Sequence, residues 1–163
     1  MSMASEPGTL RAVVAALCLA LLIALLVAAA GSDLRQRKIP DRLCMAIAVL
    51  ALPYGIASGW LVFPDLAAHA ISALALGAIM LGCFCFGLLG GGAVRMMTAL
   101  GLWLSPDAAL DTLVVTMIAG GVLDVMMARR YRYRLSRPGV PYGMAIALAG
   151  TTQAVIPLFH LLP

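Results

Sequence analysis

The chain has 163 residues, of which 63% are hydrophobic and only 11% are charged, and its mean hydropathy is +1.04. A soluble globule of this length needs more polar side chains to cover its surface. The composition therefore excludes a soluble enzyme or binding domain and predicts an all-α, polytopic membrane protein. We interpret the net charge of +4 as a signal of topology and of contact with membrane lipid, and expect no nucleic-acid partner.

Six helices are predicted in chain order. They span about residues 12–30, 43–61, 66–89, 94–104, 108–127 and 141–162. Residues 28–31 resemble a signal-peptidase site, but the apolar run before them exceeds a signal sequence, so we expect a retained first helix. We find no internal repeat, soluble domain or low-complexity tail, so residues 1–163 are predicted to be one integral membrane domain.

The fourth helix is expected to be short. Arg95 and Arg129 are both assigned to the cytoplasm, and only 33 residues separate them. Two full spans need about 40 residues. One helix, 94–104, is therefore short or begins below the membrane surface, with the glycines before it enclosed by protein or by a wet cavity.

The basic residues predict the orientation in the membrane. Ten of the eleven fall in three groups, at residues 35–42, at 95 and at 129–137, whereas four of the seven acidic residues lie between those groups or at the N-terminus. Loops rich in Lys and Arg face the cytoplasm. The three groups are therefore placed in the cytoplasm and the N-terminus outside.

Cysteine-accessibility labelling tests this topology. Residues 35–38 and 130–137 should react from the cytoplasm, and residue 65 from outside, because the positive-inside rule fixes both loops on one side. Labelling of both basic loops from the periplasm would contradict the assignment.

A glycine run separates the third helix from the fourth. Glycines at positions 87, 90, 91 and 92 allow close backbone approach, and Arg95 follows at a membrane boundary. Such runs more often serve close packing of membrane helices, and that structural alternative remains open.

We predict no metal and no cofactor. The four cysteines are Cys18, Cys44, Cys83 and Cys85, and they include no C-x-x-C pair. His69 and His160 fall near the outer ends of the third and sixth helices and are expected to be interfacial.

Three motifs occur in an order that resembles one family. Residues 33–41 read Asp-Leu-Arg-Gln-Arg-Lys-Ile-Pro-Asp, residues 90–97 read Gly-Gly-Gly-Ala-Val-Arg-Met-Met, and residues 140–147 read Val-Pro-Tyr-Gly-Met-Ala-Ile-Ala. Together they resemble the type IV prepilin peptidases, and most of all the short members of tight-adherence (Flp-type) pilus systems. The resemblance implies an aspartic protease of the GxGD kind. Such proteases lie at the cytoplasmic face of the bacterial inner membrane and cut the basic leader from prepilins after a glycine.

The resemblance also implies the site residues. Asp33 is similar to the first catalytic aspartate, and Ala93 occupies the position of the second. Further substrate-binding or site-supporting positions are Gly90, Gly92, Arg95, Pro141, Tyr142 and Gly143. The longer prepilin peptidases carry a cysteine-rich zinc region linked to N-methylation, and its absence here implies cleavage without methylation.

Peptide hydrolysis without a covalent intermediate needs one group that takes a proton from water and one that gives a proton to the amide. Two neighbouring aspartates share a proton and supply one group of each kind. We expect Asp33 and the side chain at position 93 to lie within about 12 Å of each other, since the two must share a proton or one water. With Ala93 the chain is predicted to be inactive.

Other interpretations remain. Asp41 and Asp124 are candidate replacement partners, but Asp41 follows Pro40 in a helix-capping position and Asp124 lies within reach of Arg129. The alanine is either natural or engineered. A pseudoenzyme that binds prepilins or pilus-assembly proteins is the main alternative, and a small transporter or channel would explain Asp124 but not the motif order.

Overall fold

The computed structural model describes residues 7–130 and 142–161. These residues form six α-helices: α1 Pro7–Gln36, α2 Asp41–Ser58, α3 Asp65–Cys85, α4 Gly91–Gly101, α5 Pro106–Arg130 and α6 Tyr142–Leu161. The described residues contain no strand, which confirms the all-α prediction.

Five of the six helices are long and apolar enough to cross a membrane. The exception is α4, because its 11 residues reach only about 16 Å along the axis, against a hydrocarbon core about 30 Å thick. The prediction of a short fourth helix is confirmed. It begins at Gly91 instead of Val94, inside the glycine run.

The short helix is enclosed by the rest of the bundle. α4 packs against α2, α3 and α6, while α6 lies between α1 and α5. Met96, Met97 and Leu100 of α4 are buried almost completely. In the irregular backbone before α4, Leu89 is buried, whereas residues 86–88 and 90 are exposed.

The outer surface of the bundle is apolar. Many large aliphatic side chains are exposed on the long helices, among them Leu21, Val27, Ile56, Ile71, Leu74 and Ile118. Exposed apolar surface of this extent suits lipid and not water, in agreement with a polytopic membrane protein.

The first helix is longer than predicted. Its 30 residues include Ser32, Asp33 and Arg35, which we expected in a loop. Arg35 lies in the last turn, where a cation interacts favourably with the helix C-terminus. The helix ends at Gln36, and the next residue, Arg37, has φ 52° and donates its N–H to the Asp33 carbonyl oxygen at 2.9 Å. The extension places Asp33 in the last turn of α1.

The third helix ends four residues earlier than predicted, at Cys85. Gly87 has φ 72°, and its N–H donates to the Phe84 carbonyl while the Leu88 N–H donates to the Cys83 carbonyl. This is the Schellman arrangement, in which a left-handed residue, usually glycine, stops the helix. Gly87 thus separates α3 from the short non-helical segment that leads to α4.

His69 lies near the start of α3, at the helix end where it was expected, and its side chain is enclosed by protein. It is 9% exposed, its ring stacks on Trp60 with centroids 4.0 Å apart, and its Nδ1 lies 3.1 Å from the Leu102 carbonyl oxygen. It therefore belongs to the packed end of the bundle where α3 begins. The side chain of His160 lies outside the described part of the chain.

Candidate active site

A cavity of about 510 Å³ opens where α1 ends and where α4 and α6 begin. Its wall has three main parts. They are the end of α1 with the loop that follows it, residues 87–93, which join α3 to α4 and include the first three residues of α4, and the first residue of α6. Both Asp33 and Ala93 line it. The structure therefore brings together the two positions, 60 residues apart in sequence, that the motif comparison paired.

Asp33 is held by the first turn of α6. The residue is only 7% exposed, and the main-chain N–H of Gly143 donates to Oδ2 of its carboxyl group at 2.7 Å. Gly143 is the second residue of α6, so this N–H is one of the amides that the helix itself cannot pair. The carboxyl group thus caps the N-terminus of α6, where the helix dipole favours negative charge. Arg37 contributes a further favourable charge.

A side chain at position 143 would crowd the carboxyl group of Asp33. A Cβ atom added there would lie 2.7 Å from Oδ2 of Asp33 and 3.0 Å from its Cγ. The missing side chain of Gly143 lets the α6 backbone reach the carboxyl group, while its supporting role in the site stays a prediction.

Position 93 lies in the first turn of α4. Gly90 is the N-cap, Ala93 is the third helical residue, and its N–H donates to the Gly90 carbonyl at 3.0 Å. Ala93 is buried, with 4% of the residue exposed. An acidic side chain at the third position is favoured by the unpaired amides and the dipole of the helix. The N-termini of α4 and α6 therefore meet at one cavity, and both stabilise negative charge there.

Gly92 sets how closely α4 approaches the loop after α1. A Cβ atom on Gly92 would lie 3.1 Å from Cβ of Ile39 and 3.4 Å from its main-chain nitrogen. Ile39 is buried and belongs to the core. This contact connects the chain that follows Asp33 with the turn that carries position 93.

Gly92→Ala should therefore lower stability. Overpacking of this kind costs about 1–3 kcal/mol, because Ile39 and the first turn of α4 must move apart. The measurement is the thermal midpoint of the purified protein in detergent. Gly121→Ala is the matched control, since Gly121 is an exposed residue of α5 whose added Cβ would meet nothing within 4 Å. The control should keep or raise the midpoint, and an equal loss in both variants would contradict the Ile39 argument.

Arg95 contacts Asp41. The two exposed side chains form an ion pair between the second turn of α4 and the first residue of α2. The expectation that Asp41 caps α2 is wrong: Pro40 is the N-cap, makes no side-chain cap bond, and Asp41 is the first helical residue. Arg95 also lines the cavity and Asp41 does not. An exposed pair of this kind contributes about 0–1 kcal/mol, so it orients Arg95 more than it stabilises the fold.

Tyr142 closes the cavity on the α6 side. Its ring lies over Gly120 of α5, where a side chain would collide with it. Asp124 interacts electrostatically with the Tyr142 hydroxyl, but it is exposed and does not line the cavity. Pro141 lies outside the described residues, as does the Arg129 side chain.

Two residues that shape the cavity or its surroundings were not identified from the sequence. Ile39 was treated as part of a loop motif, and Gly120 was not singled out, although the pair Gly120-Gly121 within an apolar helix is itself a signal of close approach. Among the described residues, no three His, Cys, Asp or Glu side chains are grouped so as to hold a metal ion.

The helices and the cavity define a polytopic membrane protein with a buried carboxyl group between converging helix ends. The type IV leader peptidase family matches residues 20–125, about two thirds of the chain, and the chain belongs to this family. The match includes Asp33 and position 93 and ends before α6.

Two curated relatives are similar over 137 residues at 30% identity. Both are named prepilin leader peptidase/N-methyltransferase, and they come from Burkholderia pseudomallei strains 1026b and K96243. The alignment covers 79% of this chain but only 43% of each relative, so the chain spans less than half of their length. No solved structure matches the chain significantly.

Proposed function

We propose that this chain has the architecture of a membrane aspartic endopeptidase. Such an enzyme removes the basic leader from type IV, Flp-type prepilins at the cytoplasmic face of the bacterial inner membrane. We further propose that the alanine at position 93 makes this chain an inactive form of the enzyme. The observation that carries the proposal is the shared cavity of Asp33 and position 93, at the N-termini of two helices. Family membership supports the peptidase class.

The geometry suits hydrolysis by two carboxyl groups. With an aspartate at position 93, one ionised carboxylate takes a proton from water while the water oxygen bonds to the scissile carbonyl carbon. The other, protonated carboxyl group donates to the developing oxyanion. A proton then passes to the amide nitrogen as the C–N bond breaks, which releases a carboxylic acid and an amine. No metal or cofactor is needed for this sequence.

With alanine at position 93, the site lacks the second carboxyl group that this reaction needs. Among the described residues that line the cavity, Asp33 is the only one with a carboxyl group. Asp41 pairs with Arg95, and Asp124 lies by Tyr142 outside the lining. A lone carboxyl group cannot hold and release a proton at once, so we expect a rate loss of about 10⁴ to 10⁶.

A second function fits the same observation. Ala93 is buried and fills its place in α4 without disturbing it, as expected of a chain that keeps the fold and binds prepilins or pilus-assembly proteins without cutting them. Cleavage of a prepilin coexpressed with the Ala93→Asp variant separates the two functions. The restored chain should release mature pilin if the chain is an inactivated peptidase, and should release none if it is a pseudoenzyme.

A further inference from the structure

The short fourth helix leaves a groove on the outside of the bundle. The helices α2 and α3 each pack against α4 rather than against each other, so they flank it on two sides. The groove between them has a volume of about 810 Å³. Its floor is a stripe along α4 and its C-cap, formed by the half-buried residues Val94, Thr98 and Leu102. This stripe therefore faces outward from the bundle.

The groove is charged at one end and apolar along the rest. Arg95 and Asp41 line the end at which α4 and α2 begin. The Thr98 hydroxyl donates to the Val94 carbonyl oxygen at 2.9 Å, so it offers the groove no unpaired donor. The other lining residues are Cys44, Met45 and Ala48 of α2, Ala70, Ala73 and Leu74 of α3, and Ala99 of α4. A fitting molecule has a charged group at one end and an apolar chain at the other.

The charged end favours an anion. Asp41 accepts from Nη1 of Arg95, and a guanidinium group has five N–H donors in a planar fork that suits phosphate. Residues 35–42, which lead into α2 and include Asp41, carry four basic side chains and one acidic side chain. The surroundings of the ion pair are therefore positive, and they attract the phosphate of a membrane lipid.

The length of the floor distinguishes between apolar partners. From Val94 to Leu102 the chain rises about 12 Å. This rise is close to half of a hydrocarbon core that is about 30 Å thick. The groove thus extends over about one leaflet. An acyl chain of that leaflet matches this depth, whereas a peptide helix that spans the membrane would continue well beyond it.

We propose that this groove binds one acyl chain of an anionic phospholipid, whose phosphate contacts Arg95. The inference does not depend on the proposed peptidase function, since neither Asp33 nor position 93 takes part in it. Among the described residues, Arg95 alone lines both this groove and the cavity that contains Asp33. The lipid phosphate would therefore lie at the rim of that cavity.

A second groove provides an internal control. It lies between α1 and α5 over α6, and its volume of about 720 Å³ is similar. None of the described residues that line it is charged. Lipid that only solvates the apolar surface should occupy both grooves without regard to the charge of its headgroup. Lipid anchored by a cation should prefer the groove that contains Arg95.

Photocrosslinking tests the inference. The chain as given is placed in vesicles of equal parts of phosphatidylglycerol and phosphatidylcholine, and a trace of one of the two lipids carries a diazirine on its acyl chain. We expect the phosphatidylglycerol probe to label the groove between α2 and α3 about fivefold more than the phosphatidylcholine probe, because only the former has a net negative headgroup. The groove between α1 and α5 should be labelled equally by both probes. Mass spectrometry locates the labelled residues.

Two charge variants test the role of Arg95. Arg95→Gln should remove the excess labelling by phosphatidylglycerol, since it keeps a polar side chain but loses the charge. Asp41→Asn should keep or increase the excess, because it removes a competing carboxylate and leaves Arg95. Phosphatidylglycerol should also raise the thermal midpoint of the chain in detergent relative to phosphatidylcholine. This rise should be lost in Arg95→Gln, and the midpoint in phosphatidylcholine shows that each variant is folded.

A pair of size variants tests the apolar part. Ala48→Leu should lower labelling of the groove between α2 and α3, because the larger side chain fills it. Ala119→Leu is the matched control, since Ala119 is also a half-buried alanine but lines the other groove. It should leave labelling near Arg95 unchanged.

Three results would overturn the inference. The first is equal labelling of the groove between α2 and α3 by the two probes. The second is an Arg95→Gln variant that keeps the excess. The third is a groove without lipid adducts that crosslinks instead to a second copy of the chain or to an added prepilin peptide, which would identify a protein interface.

Discussion

Replacing Ala93 with aspartate should create prepilin cleavage in a chain that we expect to be inactive, with a rate gain of about 10⁴ to 10⁶. The new carboxyl group would lie in the first turn of α4 and share the cavity with Asp33. Two carboxyl groups in one site do not both ionise readily, so the pair holds one proton between them. The measurement is the appearance of mature pilin in membranes, followed by mass spectrometry of its new N-terminus.

Two isosteric variants control this result. Ala93→Asn gives a side chain of nearly the same shape that neither takes nor gives a proton at working pH, so it should remain inactive. Asp33→Asn in the Ala93→Asp chain should abolish cleavage again, although its amide oxygen can still accept from the Gly143 N–H.

Each opposite result has a definite meaning. A restored chain that is folded and inserted but inert would favour the pseudoenzyme. Cleavage by the chain with Ala93 would show that position 93 does not supply the catalytic partner of Asp33. Asp41 and Asp124 would then be the candidates for that partner. The pair of Asp41 with Arg95 would then have to open, because that pair holds the carboxylate outside the cavity lining.

The five long helices could be predicted because each apolar run is long enough to leave no alternative in a bilayer. Their ends were less predictable. The polar residues 32–36 suggested a loop, yet they continue α1 by more than a turn and so place Asp33. Gly87 was grouped with the other glycines, although its role is to stop α3 through a hydrogen-bond pattern that depends on its left-handed backbone.

The positions of Asp33 and Ala93 followed from a resemblance and not from local chemistry. Nothing near Asp33 in the sequence indicates that its partner is the Gly143 N–H, 110 residues away. Asp41 shows the same difficulty, because its local context suggested a cap whereas its partner is Arg95, 54 residues later. Local patterns predict helices, but contacts between distant helix ends depend on how the bundle packs.

Gly143→Ala in the Ala93→Asp chain should reduce kcat/KM by about 10² or more. The added methyl group would lie 2.7 Å from Oδ2 of Asp33, so either the carboxyl group or the first turn of α6 must move. Misplacing a reacting group by about 1 Å can cost about 10²-fold in rate. The loss or lengthening of a hydrogen bond to a charged group should also cost about 1.5–3 kcal/mol of stability.

Comparison with Asp33→Asn separates geometry from proton transfer. The asparagine variant loses the acid but keeps an acceptor for the Gly143 N–H, so it should be inactive with a nearly unchanged thermal midpoint. Gly143→Ala keeps the acid but displaces it, so it should be slow, less stable, and partly active. If Gly143→Ala instead cleaves like its parent, the contact with α6 does not position Asp33, and the orientation of the carboxyl group must come from α1 and Arg37 alone.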